Sequence, residues 1–181
     1  MDLTNIDCEL DTPDLRLRRV RLSDAEGLYK MLSDPESMKY WSHTPVSDVS
    51  DALKVLREDV ESDAKGNSIC WAVTQKGSDE MIGKCILFQF SPANRRAEIG
   101  FILNRAYWRQ GLMLQALQGV IHFAFNTLNL HRLEADVDPD NAGSLGILEK
   151  LGFEREGLFR DRWQLRGAWV DSVMLGLLNR E

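Results

Sequence analysis

The chain has 181 residues, with 28 acids against 22 bases for a formal net charge of −6 and 44% apolar residues. That length is most simply one domain, residues 1–181, large enough to bury a core, and the negative balance argues against a nucleic-acid surface while mildly favouring a basic substrate. No apolar run is long enough to span a bilayer and the opening MDLTNIDCELD is acidic, unlike a targeting segment, so a cytoplasmic location is expected.

The elements follow without a linker or an internal repeat. LRLRRV, residues 15–20, alternates as a half-buried strand, and Ser23 or Asp24 can cap a helix running to about Leu32 before the break at Pro35. Over residues 47–64 the apolar side chains Val49, Ala52, Leu53, Leu56 and Val60 recur at helical spacing, which predicts an amphipathic surface helix. Strands follow at about 68–74, 81–90 and 95–103, and the short KGSDE and SPAN connections between them predict an antiparallel meander. Cys70 and Cys85 fall in these strands as packing residues; with Cys8 they form no CxxC and no metal spacing, so reduced thiols and no metal are expected.

Residues 97–103 are nearly all apolar, as in a strand covered on both faces, and Glu98 is the one acid among them. After Asn104-Arg105-Ala106, the run Tyr107-Trp108-Arg109-Gln110-Gly111 enters LMLQALQGVIHFAF, whose apolar residues point almost all round and predict a buried helix. The first turn of that helix would offer unpaired N–H groups and a positive dipole end, and Gly111 would let the main chain approach an anion without a Cβ in the way. A strand at 132–137, a helix at 141–151 stopped by Gly152, and strands near 153–160 and 169–175 close the chain. The expected fold is α+β, a mixed and mostly antiparallel sheet of six to seven strands flanked by four helices.

WRQGLMLQAL followed by NAGSLGILEKLGFEREG resembles the GCN5-related N-acetyltransferases, in particular their branch of ribosomal-protein N-terminal acetyltransferases. The opening LRLRRVRLSDAEGLYKMLSDPESMKYW is similar to the start of that branch, so the likeness covers nearly the whole chain. It implies the acyl-CoA N-acyltransferase fold and acetyl-CoA as cosubstrate. It assigns coenzyme contacts to Trp108, Arg109, Gln110, Gly111, Leu112, Met113 and Leu114 at the pyrophosphate, to Phe101, Ile102 and Leu103 on the strand, and to Asn141 and Ser144 beside the pantetheine arm and thiol. This chain departs from the family pattern at Met113, where a small residue is usual and the bulk would tighten the loop, and at Leu148, where many members carry a thiolate-protonating Tyr.

Acetyl transfer needs an amine stripped of a proton, a held oxyanion and a departing thiolate. In the family the amine attacks directly, without an acyl-enzyme, and a main-chain N–H of the strand holds the thioester oxygen. Glu98 is the candidate base, because desolvation in an apolar strand raises its pKa; the competing reading is an ion pair with Arg95 or Arg96. Asp161 and Asp171, near a turn, are second choices. Ser144 is the candidate thiolate acid, although Ser144 and Asn141 also suit a helix start. Trp41, His43 and Trp163 are candidate acceptor residues, while His122 and His131 read as structural. The expected reaction is acetylation of a primary amine, a protein N-terminal α-amino group, with a homodimer permitted. The alternatives are a small-amine acetyltransferase acting on a polyamine, an aminoglycoside or an amino-acid conjugate, and a non-catalytic acyl-CoA-binding module.

Overall fold

A computed structural model describes residues 3–4, 6–41 and 44–180. One eight-stranded sheet runs through the molecule in the order β1-β2-β3-β4-β5-β6-β8-β7. Its first five strands are β1 (Leu10–Asp11), β2 (Leu15–Arg19), β3 (Ile69–Gln75), β4 (Met81–Ser91) and β5 (Arg96–Leu103), paired antiparallel in that order; the connections are short except between β2 and β3, where two helices intervene. The sheet continues through β6 (Arg132–Val137) to the hairpin of β7 (Glu154–Leu165) and β8 (Ala168–Leu178). The mixed α+β class is as expected, with one or two more strands than the sequence pattern suggests.

β3 is an inner strand, between β2 and β4, and is buried on both faces. Ile69, Trp71 and Val73 face a core shared with α3 (Leu112–His122) and α4 (Ala142–Lys150), while Cys70 and Ala72 face a second core under α1 (Ala25–Leu32) and α2 (Val49–Ala64). Trp71 donates its indole N–H to the Cys8 carbonyl at 2.7 Å and meets Phe123 edge-on, so its one polar atom is satisfied in the core. All three cysteines are free and buried. α1 comes so close to β4 that a Cβ on Gly27 would lie 2.5 Å from the Met81 carbonyl oxygen.

Several local expectations are corrected. Asp24 precedes α1 but makes no side-chain cap; its carboxylate instead holds the buried Arg18 guanidinium and the Arg21 N–H, leaving a 3-10 turn at Leu22–Asp24 to lead into the helix. α2 does have a side-chain cap, Asp48, which accepts from the N–H groups of Ser50 and Asp51. α3 is not buried all round, because Gln118 and His122, four residues apart, share one exposed face. Beyond His122 the helix widens into a π turn at Phe123–Thr127.

The feature that positions the site is the only parallel pairing among the described strands. β5 and β6 pair over Arg96, Ala97 and Glu98 against Arg132, Leu133 and Glu134, and no further. Beyond that point β5 stays with β4 as far as Leu103, while β6 stays with β8 as far as Val137. The two strands therefore splay, and a gap opens between them. The face of β5 that carries Glu98 and Gly100 borders this gap and is only half-buried, which corrects the expectation of a strand covered on both faces.

Candidate active site

The gap widens into a cavity of about 420 Å³. Its walls come from β4, β5, β6, the start of α4, the β7–β8 hairpin and Tyr40-Trp41 ahead of α2. Of the residues singled out in the sequence, the cavity gathers Glu98, Phe101, Ile102, Asn141, Ser144, Leu148, Trp41, Trp163 and Asp171. His43 lies outside the described residues. A larger concavity of about 730 Å³ between the ends of α3 and α4 and the outer strands contains none of these residues.

Glu98 is half-buried at the point where pairing stops. The ion pairs open to it in the sequence do not form. Arg96 is bound to Glu134, Arg95 donates to the Asn129 carbonyl, and the Glu98 carboxylate has no hydrogen bond or ion pair among the described residues. Burial, assisted by the negative charges of Asp136 and Glu134, pushes its carboxyl up to about 7, against the weaker pull of Arg162 and Arg96. A carboxylate tuned to neutrality and unpaired beside a cavity is equipped to take a proton.

Past the end of β5, Gly111 caps α3, and none of the loop residues 108–114 is among those that line the cavity. Gly111 has φ +76° and Arg109 φ +62°, so the loop turns sharply in front of the helix. A Cβ on Gly111 would meet nothing within 4 Å, which leaves open space over the first turn for an anionic group. Trp108 is 41% exposed and ties the loop to the strand by donating its indole N–H to the Leu103 carbonyl at 2.8 Å; the Gln110 amide donates to the Ala106 carbonyl at 3.1 Å. Leu112 and Met113 are buried, and the Met113 sulfur lies 3.7 Å from the Cys85 sulfur. Their side chains therefore face the core, and only their main-chain N–H groups are available to a ligand. Met113 does not narrow the loop, since its bulk is accommodated beside Gly83.

Asn141 caps α4, accepting the Ser144 N–H at 3.1 Å, and both side chains reach the cavity. Leu148, one helical turn beyond Ser144, is fully buried and lines the same wall, so no hydroxyl stands at that position. Asp161 and Asp171 are not in a turn. They face each other across the hairpin, where Asp161 has φ +52° and its N–H donates to the Asp171 carboxylate at 3.0 Å.

Sequence reasoning missed Asp136 on β6. It lines the cavity, its side chain is 10% exposed, and it accepts from the Ser172 hydroxyl and from the Trp163 indole N–H. Within RLEADVDPD it reads as one polar position of an alternating strand, and only the splay turns it toward a cavity.

A cleft between splayed strands with a proton-accepting carboxylate on its wall, together with the Gly111 entry into α3 that follows β5, is suited to transfer between an anionic carrier and an amine. The acetyltransferase (GNAT) domain profile matches residues 14–154, and the chain belongs to this family, whose members use acetyl-CoA. It is 39% identical to the uncharacterized N-acetyltransferase p20 of Bacillus licheniformis over 172 residues, 95% of this chain and 97% of that protein. It is 21% identical to the spermidine N(1)-acetyltransferase of Escherichia coli K12, over 92% of this chain and 87% of that one. Among solved structures it is similar to Mycobacterium smegmatis RimJ in complex with CoA-disulfide, at a TM-score of 0.81 and 25% identity, covering 91% of this chain and 81% of that one. The protein is thus an acetyltransferase rather than a non-catalytic module, with the acyl-CoA N-acyltransferase fold.

Proposed function

We propose that this acetyltransferase moves the acetyl group of acetyl-CoA onto the N-terminal α-amino group of a protein, with Glu98 as the base. The observation that carries the chemistry is the unpaired, half-buried Glu98 with its carboxyl near 7. The acceptor reading rests on the resemblance to the ribosomal-protein branch and on the similarity to RimJ.

The amine enters the cavity between Trp41 and Trp163 and gives its proton to Glu98, directly or through one water. Its nitrogen attacks the thioester carbonyl while the carbon–sulfur bond breaks. Alternate residues of 99–103 direct main-chain groups into the gap, where β6 no longer pairs with them, and one N–H there holds the developing oxyanion. The N–H groups at the start of α3, behind Gly111, hold the pyrophosphate. Leu148 has no proton to give, so the thiolate takes one from Ser144 or a bound water.

A small-amine acceptor is the second reading. Glu98, Asp136, Asp138 and Asp171 line the cavity against one cation, Lys84, which is itself paired with Asp59. That balance suits a polycation, the acceptor class named for the Escherichia coli relative. The test is thiol release from acetyl-CoA with N-terminal peptides, ribosomal proteins, polyamines and aminoglycosides. Release with peptides or ribosomal proteins is expected; release with small amines alone would replace the α-amino reading.

A further inference from the structure

Around the cavity, one wall is held differently from the rest. β7 is an edge strand, and eleven of its twelve residues are exposed. Its register against β8 shifts between Phe159 and Trp163, so the segment next to the cavity lacks regular pairing. Three side-chain bonds fasten it instead. The Trp163 indole N–H lies 3.3 Å from both oxygens of Asp136, the Arg162 Nε lies 3.5 Å from the same carboxylate, and the Asp161 N–H is held by Asp171. Asp136 is fixed in turn by the fully buried Ser172 on β8, whose hydroxyl donates to it.

Such a ring, 43% exposed on an edge strand, has little packing to orient it beyond the Arg162 guanidinium, 5.3 Å from its centroid. Its N–H bond to a nearly buried carboxylate supplies what packing does not. Trp163 and Asp136 both line the cavity that holds Glu98. We infer that Asp136 is a positioning residue that fastens Trp163 of the edge strand as a wall of the acceptor site, so that the amine is held beside Glu98. This deepens the acetyltransferase reading and depends on it for the place where the amine binds.

The test has two readouts. The first needs no substrate: hydrogen exchange of the indole N–H groups in tryptophan-labelled protein, with the Trp163 signal assigned by its loss in Trp163→Phe. In the wild type, Trp163 should exchange about tenfold more slowly than the 62%-exposed Trp169. Asp136→Ala should abolish that difference and leave the buried Trp71 protected, while Asp136→Asn, which keeps a carbonyl acceptor, should retain part of it.

The second readout uses spermidine and an alanine-initiated hexapeptide as amine probes. With whichever is acetylated, Asp136→Ala and Trp163→Phe should each raise the amine KM about tenfold and leave the acetyl-CoA KM within twofold. The double variant should be no worse than either single one, and Asp136→Asn should recover part of the loss. Unchanged Trp163 exchange in Asp136→Ala would overturn the fastening. An unchanged amine KM, or additive losses, would overturn its role at the acceptor site. If neither probe were acetylated, the acceptor reading would fail, while the exchange result would still decide whether Asp136 fixes the ring.

Discussion

Replacing Glu98 by glutamine should make the protein more stable, and the gain should depend on pH. Glu98 sits at about 7 in the fold against an ordinary value of 4.5, so the fold favours its protonated form. A group whose folded pKa is raised contributes fully below the unfolded value, and that contribution is lost as pH rises through the folded one. The gap between 4.5 and about 7, at about 1.4 kcal/mol for each tenfold change in proton affinity and reduced by the solvent screening of a half-buried group, puts the cost of keeping Glu98 ionised in the fold at about 2 kcal/mol at pH 8. At pH 4 both the folded and unfolded chains hold the proton, and the cost is close to zero. Glu98→Gln has nothing to ionise and a similar shape. Its urea midpoint should match the wild type near pH 4 and exceed it progressively to pH 8, where about 2 kcal/mol corresponds to a melting temperature roughly 4–8 °C higher. An advantage independent of pH would refute the assignment of a desolvated, raised carboxyl. A variant less stable at pH 8 would mean that Glu98 is held by a favourable partner.

Other expectations follow from single contacts. Gly27→Ala should destabilise by about 2 kcal/mol in urea unfolding, although alanine ordinarily favours a helix by about 1 kcal/mol, because its Cβ would press on the Met81 main chain at 2.5 Å. A stabilised variant would contradict that approach of α1 to β4. Gly111→Ala should cost about 1 kcal/mol of stability for its positive φ but weaken acetyl-CoA binding about tenfold by calorimetry, since its Cβ fills only the open space over α3. Equal affinity would place the pyrophosphate elsewhere. Burial pushes the thiol of Cys8 up to about 11 and that of Cys70 up to about 12, and raises Cys85 as well, so Ellman's reagent should find no fast thiol in the native protein. A rapid stoichiometric reaction would contradict this burial.

What could be read from the sequence followed the strength of the local pattern. The meander through β5 was legible because its strands are apolar and its turns short. β7 runs several residues longer than its pattern implies, because an exposed edge strand has no buried alternation to mark its ends, and β8 extends with it as its hairpin partner; the two-residue β1 is too short to leave a period. Glu98 stood out as the lone acid of an apolar run. Asp136 was not legible, since its value depends on where β5 and β6 part, and a parallel pairing that stops after three residues leaves no trace in either strand alone. Periodicity also does not tell which side of a helix entry faces the ligand. Leu112 and Met113 fall within the loop motif, but their side chains point into the core.

The most direct test of Glu98 as base is the pH dependence of acetyl transfer in the wild type and in Glu98→Gln, measured with the same acceptor so that the acceptor's own titration cancels in the ratio of their kcat/KM values. The wild type should be faster by about 10²-fold or more above pH 7, with the ratio falling about tenfold for each pH unit below it as Glu98 takes up its proton. A ratio near one, or a large ratio that does not change between pH 5 and 8, would contradict its role as base.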